Sequence, residues 1–317
     1  MESIIKTDKI RKYFQNRKRG HVIKACDDIS LNLQQGKTLG LVGESGCGKT
    51  TVGRIIIRLL YPDSGTVLFK GINLTELSWK RIRPLRKNFQ MIFQDSSAAF
   101  NPRMRVYDTL KEAIRLYGSF KAGEIREEIH NLTSRVNLHR GLLNHFVGNL
   151  SGGELKRLDI ARVLSIHPEF VIADEPLSLL DMSIQSQIVN LLLSVQQEEN
   201  TTILFISHDL KMVRMLSHTV AVMYGGRIVE YALKSSITEN PLHPYTTYLW
   251  NPKSSDLFIR FFESGCVYKN SCRLFHKKGF PLICSEKQPK LLEYEKGHYA
   301  ACHFAGMSKA RQVSVPE

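Results

Sequence analysis

The chain has 317 residues, 43% of them hydrophobic and 23% charged, which suits one large domain with at most a smaller appendage and excludes wholesale disorder. Its formal net charge is +14, yet the basic residues are spread along the chain, with small clusters at Arg17-Lys18-Arg19 and from Lys80 to Lys87. Without zinc-finger spacing or a basic helix leading into a leucine zipper, that charge does not point to sequence-specific DNA binding, and attraction to an anionic membrane surface or to acidic partners accounts for it as well.

No apolar run reaches the roughly eighteen residues needed to cross a bilayer, and the opening stretch MESIIKTDKIRKYF lacks the apolar core of a signal peptide. The expected location is therefore the cytoplasm. From about Ile4 to Leu33 polar and apolar residues alternate, as in antiparallel strands. The short apolar run Thr38-Leu-Gly-Leu-Val42 reads as a buried strand ending in a glycine-rich loop, and Thr51 to Leu60 follows with helical periodicity. After the Pro62-Asp-Ser-Gly65 turn comes a further strand pair, Thr66–Lys70 and Phe89–Phe93. Residues from about 104 to 165 read as mainly helical. Two more buried strands, Phe170–Ala173 and Thr202–Ile206, flank an amphipathic helix around Ile184–Gln197. Strands that alternate with helices and are nearly all apolar argue for a largely parallel sheet covered on both faces. Beyond Tyr248-Leu-Trp250 the pattern breaks. Asn251-Pro-Lys-Ser-Ser-Asp256 reads as a linker, and the rest is basic, loop-rich and cysteine-bearing, which places a boundary near 250.

The segment Gly43-Glu44-Ser45-Gly46-Cys47-Gly48-Lys49-Thr50 fits the spacing G-x-x-x-x-G-K-[ST], and it joins a predicted strand to a predicted helix beginning at Thr51. Glycines let backbone N–H groups turn inward around phosphate oxygens, and the helix N-terminus adds its positive end. Lys49 can reach the outer phosphates of a nucleotide, and the Thr50 hydroxyl can ligate Mg²⁺. Further on, the buried strand Phe170-Val-Ile-Ala ends in two adjacent acids, Asp174 and Glu175. Asp174 suits the metal, and Glu175 suits the water that attacks a phosphoryl group.

Between those motifs lies Leu150-Ser151-Gly152-Gly153-Glu154, which resembles the signature motif of the ABC ATPases, a narrower class than phosphate-loop proteins at large. The resemblance spans roughly residues 4 to 250. It implies an α/β fold: a P-loop NTPase core with an antiparallel β subdomain and a helical subdomain over about 104–165, plus a small loop-rich carboxyl-terminal extension over 251–317. It also implies that the Ser151–Glu154 cradle faces the γ-phosphate bound to an opposing subunit. The fifth signature position is more often Gln, and here it is Glu154. Gln94 matches the family's Q-loop residue, which senses Mg²⁺ and water; Ser178-Leu-Leu-Asp181 resembles its D-loop; His208 matches its switch histidine. Tyr13 is the aromatic expected to stack on adenine, with Phe14 its competitor.

Two features are similar to the peptide-importer branch. Asn240-Pro-Leu-His-Pro-Tyr-Thr246 resembles the segment that closes the ATPase domain in oligopeptide, dipeptide and nickel importer subunits. Four of the six cysteines, Cys266, Cys272, Cys284 and Cys302, crowd the last fifth of the chain, which favours metal or cluster ligation over structural disulfides in a cytosolic protein. Their pattern resembles the cysteine extension of peptide-importer ATPases, where it implies a [4Fe–4S] cluster, with zinc the alternative. The gap from Cys272 to Cys284 is longer than usual there, as if an insertion sat around Lys277-Lys-Gly279.

The resemblance thus implies an ATP- and Mg²⁺-dependent ATPase at the cytoplasmic face of the cell membrane, powering import of oligopeptides or dipeptides. Nickel or a metal chelate is the alternative cargo, and a soluble ABC ATPase acting on nucleic acid or ribosomes the less favoured reading. Its implied partners are a second ATPase subunit (a different chain or a second copy), two membrane-spanning permease subunits and, indirectly, an extracytoplasmic substrate-binding protein. Nucleic acid is not an expected partner.

Overall fold

The computed structural model describes residues 2–15, 22–117, 121, 123–178, 180–250, 264–279 and 281–305. The basic cluster Arg17-Lys18-Arg19, the linker Asn251–Asp256 and Leu179 of the D-loop segment lie outside the described residues. In chain order the elements begin with β1 (Ser3–Gln15), β2 (Val22–Gln34), β3 (Thr38–Val42), α1 (Lys49–Ile56), β4 (Ser64–Phe69), β5 (Ile72–Asn73), α2 (Trp79–Ile82) and β6 (Phe89–Ile92). Then come α3 (Val106–Tyr117), α4 (Glu124–Arg135), α5 (Gly152–Leu164), β7 (Phe170–Asp174), α6 (Met182–Glu198) and β8 (Thr202–Ile206). The remainder comprises α7 (Leu210–Leu216), β9 (Thr219–Tyr224), β10 (Arg227–Leu233), α8 (Lys234–Glu239), α9 (Pro244–Trp250), α10 (Arg273–Lys277), α11 (Leu282–Glu286), β11 (Leu292–Glu295) and β12 (His298–Ala300).

Internal contacts divide the chain into two compact units, one of Met1–Ile5, Leu33–Thr38 and Leu68–Ser207, the other of Lys6–Asn32, Leu39–Val67 and His208–Glu317. In the first, β7 is the middle of a parallel ladder, with Met91 opposite Ile172 on one side and Leu204 opposite Ile172 on the other. Every residue of β7 and β8 is buried, as expected for strands covered on both faces. Parallel neighbours need long crossovers. Helices α3, α4 and α5 lie within the connection from β6 to β7, and α6 alone supplies the one from β7 to β8. The buried face of α4 is Ile125, Ile129, Leu132 and Thr133, a helical repeat, and each fully covered aliphatic side chain there contributes about 1.5–3 kcal/mol.

In the second unit β3 runs parallel to β9, β9 and β10 form an antiparallel hairpin, and β12 continues that ladder on β10, with β11 antiparallel beyond it. The long strands β1 and β2 lie side by side, and β4 flanks β1. The strands β11 and β12 lie in the extension expected to be loop-rich; β11 (Leu-Glu-Tyr-Glu, all exposed) alternates apolar and polar residues over only four positions, too short a stretch to announce a strand.

Two local expectations are corrected. Thr66–Lys70 and Phe89–Phe93 are strands but not a pair. The chain turns back at Lys70 and Gly71, both with positive φ, so β4 pairs with β5, while β6 joins the parallel ladder. The two segments meet instead through an edge-on contact of Phe69 and Phe89, ring centroids 5.4 Å apart. The helix after the glycine-rich loop stops at Ile56 and does not reach Leu60, because Arg58 takes a left-handed φ of 57° and stacks its guanidinium 3.8 Å from the Tyr61 ring centre.

Candidate functional site

In the second unit the fully buried β3 delivers the chain to Gly43, and the loop Gly43–Gly48 opens into α1. Gly43 (φ 154°) and Gly48 (φ 111°) need to be glycines: a β-carbon on the first would strike the Met223 carbonyl oxygen, and one on the second the Ala25 carbonyl oxygen. The loop is thus pinched between the end of β9 and β2. It is also tied to the β9–β10 turn, since the Gly226 N–H donates to the Cys47 carbonyl at 3.1 Å. Ser45 and Gly46 are exposed at its tip, Cys47 is buried, and Thr50 and Thr51 are half-buried in the first turn of α1. Lys49 folds back over the loop, its Nζ donating to the Gly43 and Glu44 carbonyls at 2.7 and 2.9 Å. Burial raises the Glu44 carboxyl above its ordinary pKa, with Lys49 opposing. The Glu44 N–H donates to the Tyr245 hydroxyl at 2.9 Å.

The same unit holds Tyr13, half-buried, with its hydroxyl donating to Asp27 Oδ1 and its N–H to Asp63 Oδ2, each at 2.7 Å. Burial and then the Asp27 contact push the Tyr13 phenol up to about 12. Arg227 grips the same Asp27 with two nitrogens, at 3.0 and 2.7 Å. Tyr13 is a tethered ring, whereas Phe14 is 40% exposed. His208 is exposed just before α7, whose first turn is capped by Asp209.

In the first unit Asp174 ends β7 with 1% exposure, and Glu175 follows in a left-handed conformation, φ 47°. That costly backbone is held by the Glu175 N–H bond to the Ile206 carbonyl at 3.0 Å and by the Ser178 hydroxyl, which donates to the Glu175 carbonyl at 2.8 Å. Its carboxylate lies 3.5 Å from the Ser207 hydroxyl. Asp181 caps α6 by accepting from the Ile184 N–H at 3.0 Å. Ser151 caps α5 in a full capping box: its hydroxyl accepts from the Glu154 N–H at 3.3 Å, while the Glu154 carboxylate accepts from the Ser151 N–H at 2.8 Å. Gly152 and Gly153 form the first turn.

Gln94 is exposed, but its backbone is fixed by a residue the sequence reading assigned no role. Lys156, on α5 and 1% exposed, donates to the Phe93 and Gln94 carbonyls at 2.5 and 2.9 Å. Burial lowers its pKa, opposed by Asp159, Asp174, Asp95 and Glu175, so this amine and both acids after β7 share one electrostatic neighbourhood. Asp159, fully buried, accepts from the Phe93 N–H (3.2 Å), the Ser96 hydroxyl (3.0 Å) and Arg162 (2.7 Å). A charged pair at Lys156 and Asp159 inside the apolar repeat of α5 is the one sequence signal for these ties. Glu230 carries no such signal, and Tyr245 none beyond its place in Asn240–Thr246, because its loop partner Glu44 is 201 residues away.

The four carboxyl-terminal cysteines are free thiols, Cys266 and Cys284 buried and the other two half-buried. Burial raises all four, Cys266 to about 12 and Cys302 to about 11, and Cys272 adds to the rise of the other three, so they lie within its electrostatic reach. Among the described residues, however, no group of three or more His, Cys, Asp or Glu could hold a metal ion. As placed, the thiols do not fit a cluster.

A family profile described as "ABC transporter" matches residues 26–178. The oligopeptide transport ATP-binding protein AppF of Bacillus subtilis (strain 168) is 40% identical, the match covering 96% of this chain and 98% of AppF. OppF of the same organism, also an oligopeptide transport ATP-binding protein, is 47% identical over 71% of this chain and 74% of its own. Among solved structures, the dimeric MJ0796, a bacterial ABC transporter cassette, superposes with a TM-score of 0.67 at 25% identity, over 73% of this chain and 98% of that one. With a glycine-rich loop after β3, an acid pair after β7, a capped helix between them in sequence and this likeness along nearly the whole chain, the protein belongs to the family of ABC transporter ATP-binding proteins.

Proposed function

We propose that this chain is the ATP-binding and ATP-hydrolysing subunit of an importer for oligopeptides or dipeptides. The observation that supports it most is the pinched loop Gly43–Gly48 with Lys49 drawn over it, a cradle of N–H groups with a cation at its mouth. The peptide names of the relatives, matched along nearly the whole chain, favour peptide over nickel.

On this reading Lys49 leaves the Gly43 and Glu44 carbonyls for the outer phosphates. The Thr50 hydroxyl and Asp174 carboxylate are hard oxygen donors of the kind Mg²⁺ takes, and the ion supplies charge neutralisation on the phosphates. Glu175 accepts the proton of the attacking water, with His208 and Gln94 reading the γ-phosphate and water, and Tyr13 or Phe14 facing the base. Lys156 holds the Gln94 backbone in place. Residues Ser151 to Glu154 serve a nucleotide on a second ATPase subunit, a different chain or a second copy. Two permease subunits couple dimer closure to transport, and an extracytoplasmic binding protein delivers the peptide. The chain works at the cytoplasmic face of the membrane; no helix among the described residues is long and apolar enough to cross it. We keep residues 1–250 as the ATPase region and 251–317 as its extension. The [4Fe–4S] reading for Cys266, Cys272, Cys284 and Cys302 requires the thiols to draw together, so no step is routed through a cluster; iron and sulfide analysis of anaerobically purified protein tests it.

The functional test is phosphate release from Mg-ATP by wild type, Lys49→Ala and Glu175→Gln. Wild type turns over, Lys49→Ala loses binding, and Glu175→Gln binds but slows by roughly 10²-fold or more. Unchanged turnover in Glu175→Gln would sink the assignment of the base.

A further inference from the structure

Every buried backbone N–H needs a partner. At Glu44 the partner is Tyr245, 201 residues away, whose hydroxyl accepts the Glu44 N–H at 2.9 Å. Tyr245 is fully buried, and its position is over-determined. Its own N–H donates to His243 Nδ1 at 3.1 Å, and the His243 N–H donates to Glu230 Oε2 at 2.8 Å. Its ring packs against Tyr224, at the end of β9, with centroids 4.7 Å apart.

The same ring also meets the cysteine-bearing segment. Tyr268, 4% exposed, lies 5.3 Å from Tyr245, 5.1 Å from Tyr224 and 5.6 Å from His243. Two residues earlier, the Cys266 N–H donates to the Cys284 carbonyl at 2.8 Å, and a β-carbon on Gly265 would strike the Cys284 and Ser285 carbonyls. One block of rings therefore touches the phosphate loop through a hydroxyl and the cysteine segment through Tyr268.

We propose that Tyr245 is a positioning residue for the phosphate loop, and that the cysteine-bearing segment, through Tyr268, sets the loop's affinity for nucleotide. The proposal rests on reading Gly43–Thr50 as the nucleotide loop. A loop held in its binding shape before the ligand arrives loses less freedom when it binds. Loosening Tyr268 gives Tyr245 room to move, the Glu44 amide loses its fixed acceptor, and nucleotide binding must supply the ordering. The coupling is reciprocal: bound nucleotide steadies the cysteine segment by the same factor. Turnover at saturation is unaffected, because neither tyrosine touches the reacting atoms.

The test is calorimetric titration of the full chain with Mg-ADP, alongside steady-state ATPase kinetics. Tyr245→Phe keeps the ring but removes the acceptor, and should weaken binding roughly tenfold and raise KM with kcat unchanged. Tyr268→Ala should weaken binding by roughly threefold to fivefold, while Tyr268→Phe, which keeps the packing, binds as wild type does. Hydrogen exchange at residues 43–48 should quicken in Tyr245→Phe and Tyr268→Ala. Wild-type affinity in both variants would overturn the proposal, as would a fall in kcat at unchanged KM. If Tyr245→Phe does not fold, exchange at residues 43–48 in Tyr268→Ala decides the matter: faster exchange supports the tether, unchanged exchange overturns it. If wild type binds no nucleotide, the nucleotide reading fails on its own, and the exchange comparison still judges the tether.

Discussion

Glu154 puts a carboxylate at the N-terminus of α5, where the helix favours an anion. Two hydrogen bonds from Ser151, one from its backbone N–H and one from its hydroxyl at 2.7 Å, hold that carboxylate below its ordinary pKa and keep it charged. The Ser151 hydroxyl is therefore engaged by an anion of the protein's own, which, on the proposed function, a partner's phosphate has to displace. Glu154→Gln keeps the capping geometry without the charge, and we expect KM for ATP to fall severalfold; an unchanged or higher KM would show that the carboxylate does not compete. His243 makes the second residue-scale prediction. Burial drives its pKa from the ordinary 6.5 down to about 4, against the pull of Glu230, and its Nδ1 accepts the Tyr245 N–H, so the folded chain keeps it neutral. The unfolded chain takes up the proton first as pH falls. Stability contributed here is full above about pH 6.5 and drains away toward pH 4, by up to about 3 kcal/mol. Melting temperature followed across that window should slope more steeply for wild type than for His243→Gln.

At the scale of elements, Glu230 of β10 is a fully buried tie in the second unit, which accepts the Leu242 and His243 N–H groups at 2.8 Å each and contacts His298 Nε2 of β12 at 2.7 Å. His298→Ala leaves a buried acid short of a donor, and chemical denaturation should report a loss of about 3 kcal/mol. Lys156→Met, which strands the carbonyls of Phe93 and Gln94, should cost about 2 kcal/mol, with raised KM if the Gln94 backbone drifts. These ties also mark what could be read in advance. The strand, loop and helix from Thr38 to Ile56 were legible because glycine spacing and apolar runs are local, and the strands ending at Asp174 and Ile206 announced themselves by the apolar runs Phe170–Ala173 and Ile203–Ile206. Glu230 and Tyr245 were not legible as ties, since each does its work through a partner that only folding brings near. The mistaken pairing of Thr66–Lys70 with Phe89–Phe93 had the same origin: period-2 patterning identifies a strand and is silent about its neighbour.

On the scale of the whole molecule, the net charge of +14 predicts adsorption to vesicles containing anionic lipid, weakening steeply as salt shortens the Debye length. Co-sedimentation that is insensitive to salt would point to an apolar contact instead. The break in composition near 250 is real in the sequence, but the second unit runs through it to Ala305, because β12 closes the ladder on β10. That closure has a cost for anyone who trims the protein. A chain ending at residue 250 would bare the outer rim of β10, a row of N–H and C=O groups lined up and ready to recruit a stranger's strand. Such a fragment should self-associate and drop out of solution even if its catalytic residues are untouched. The cysteine-bearing segment thus also works as the molecule's guard against its own aggregation.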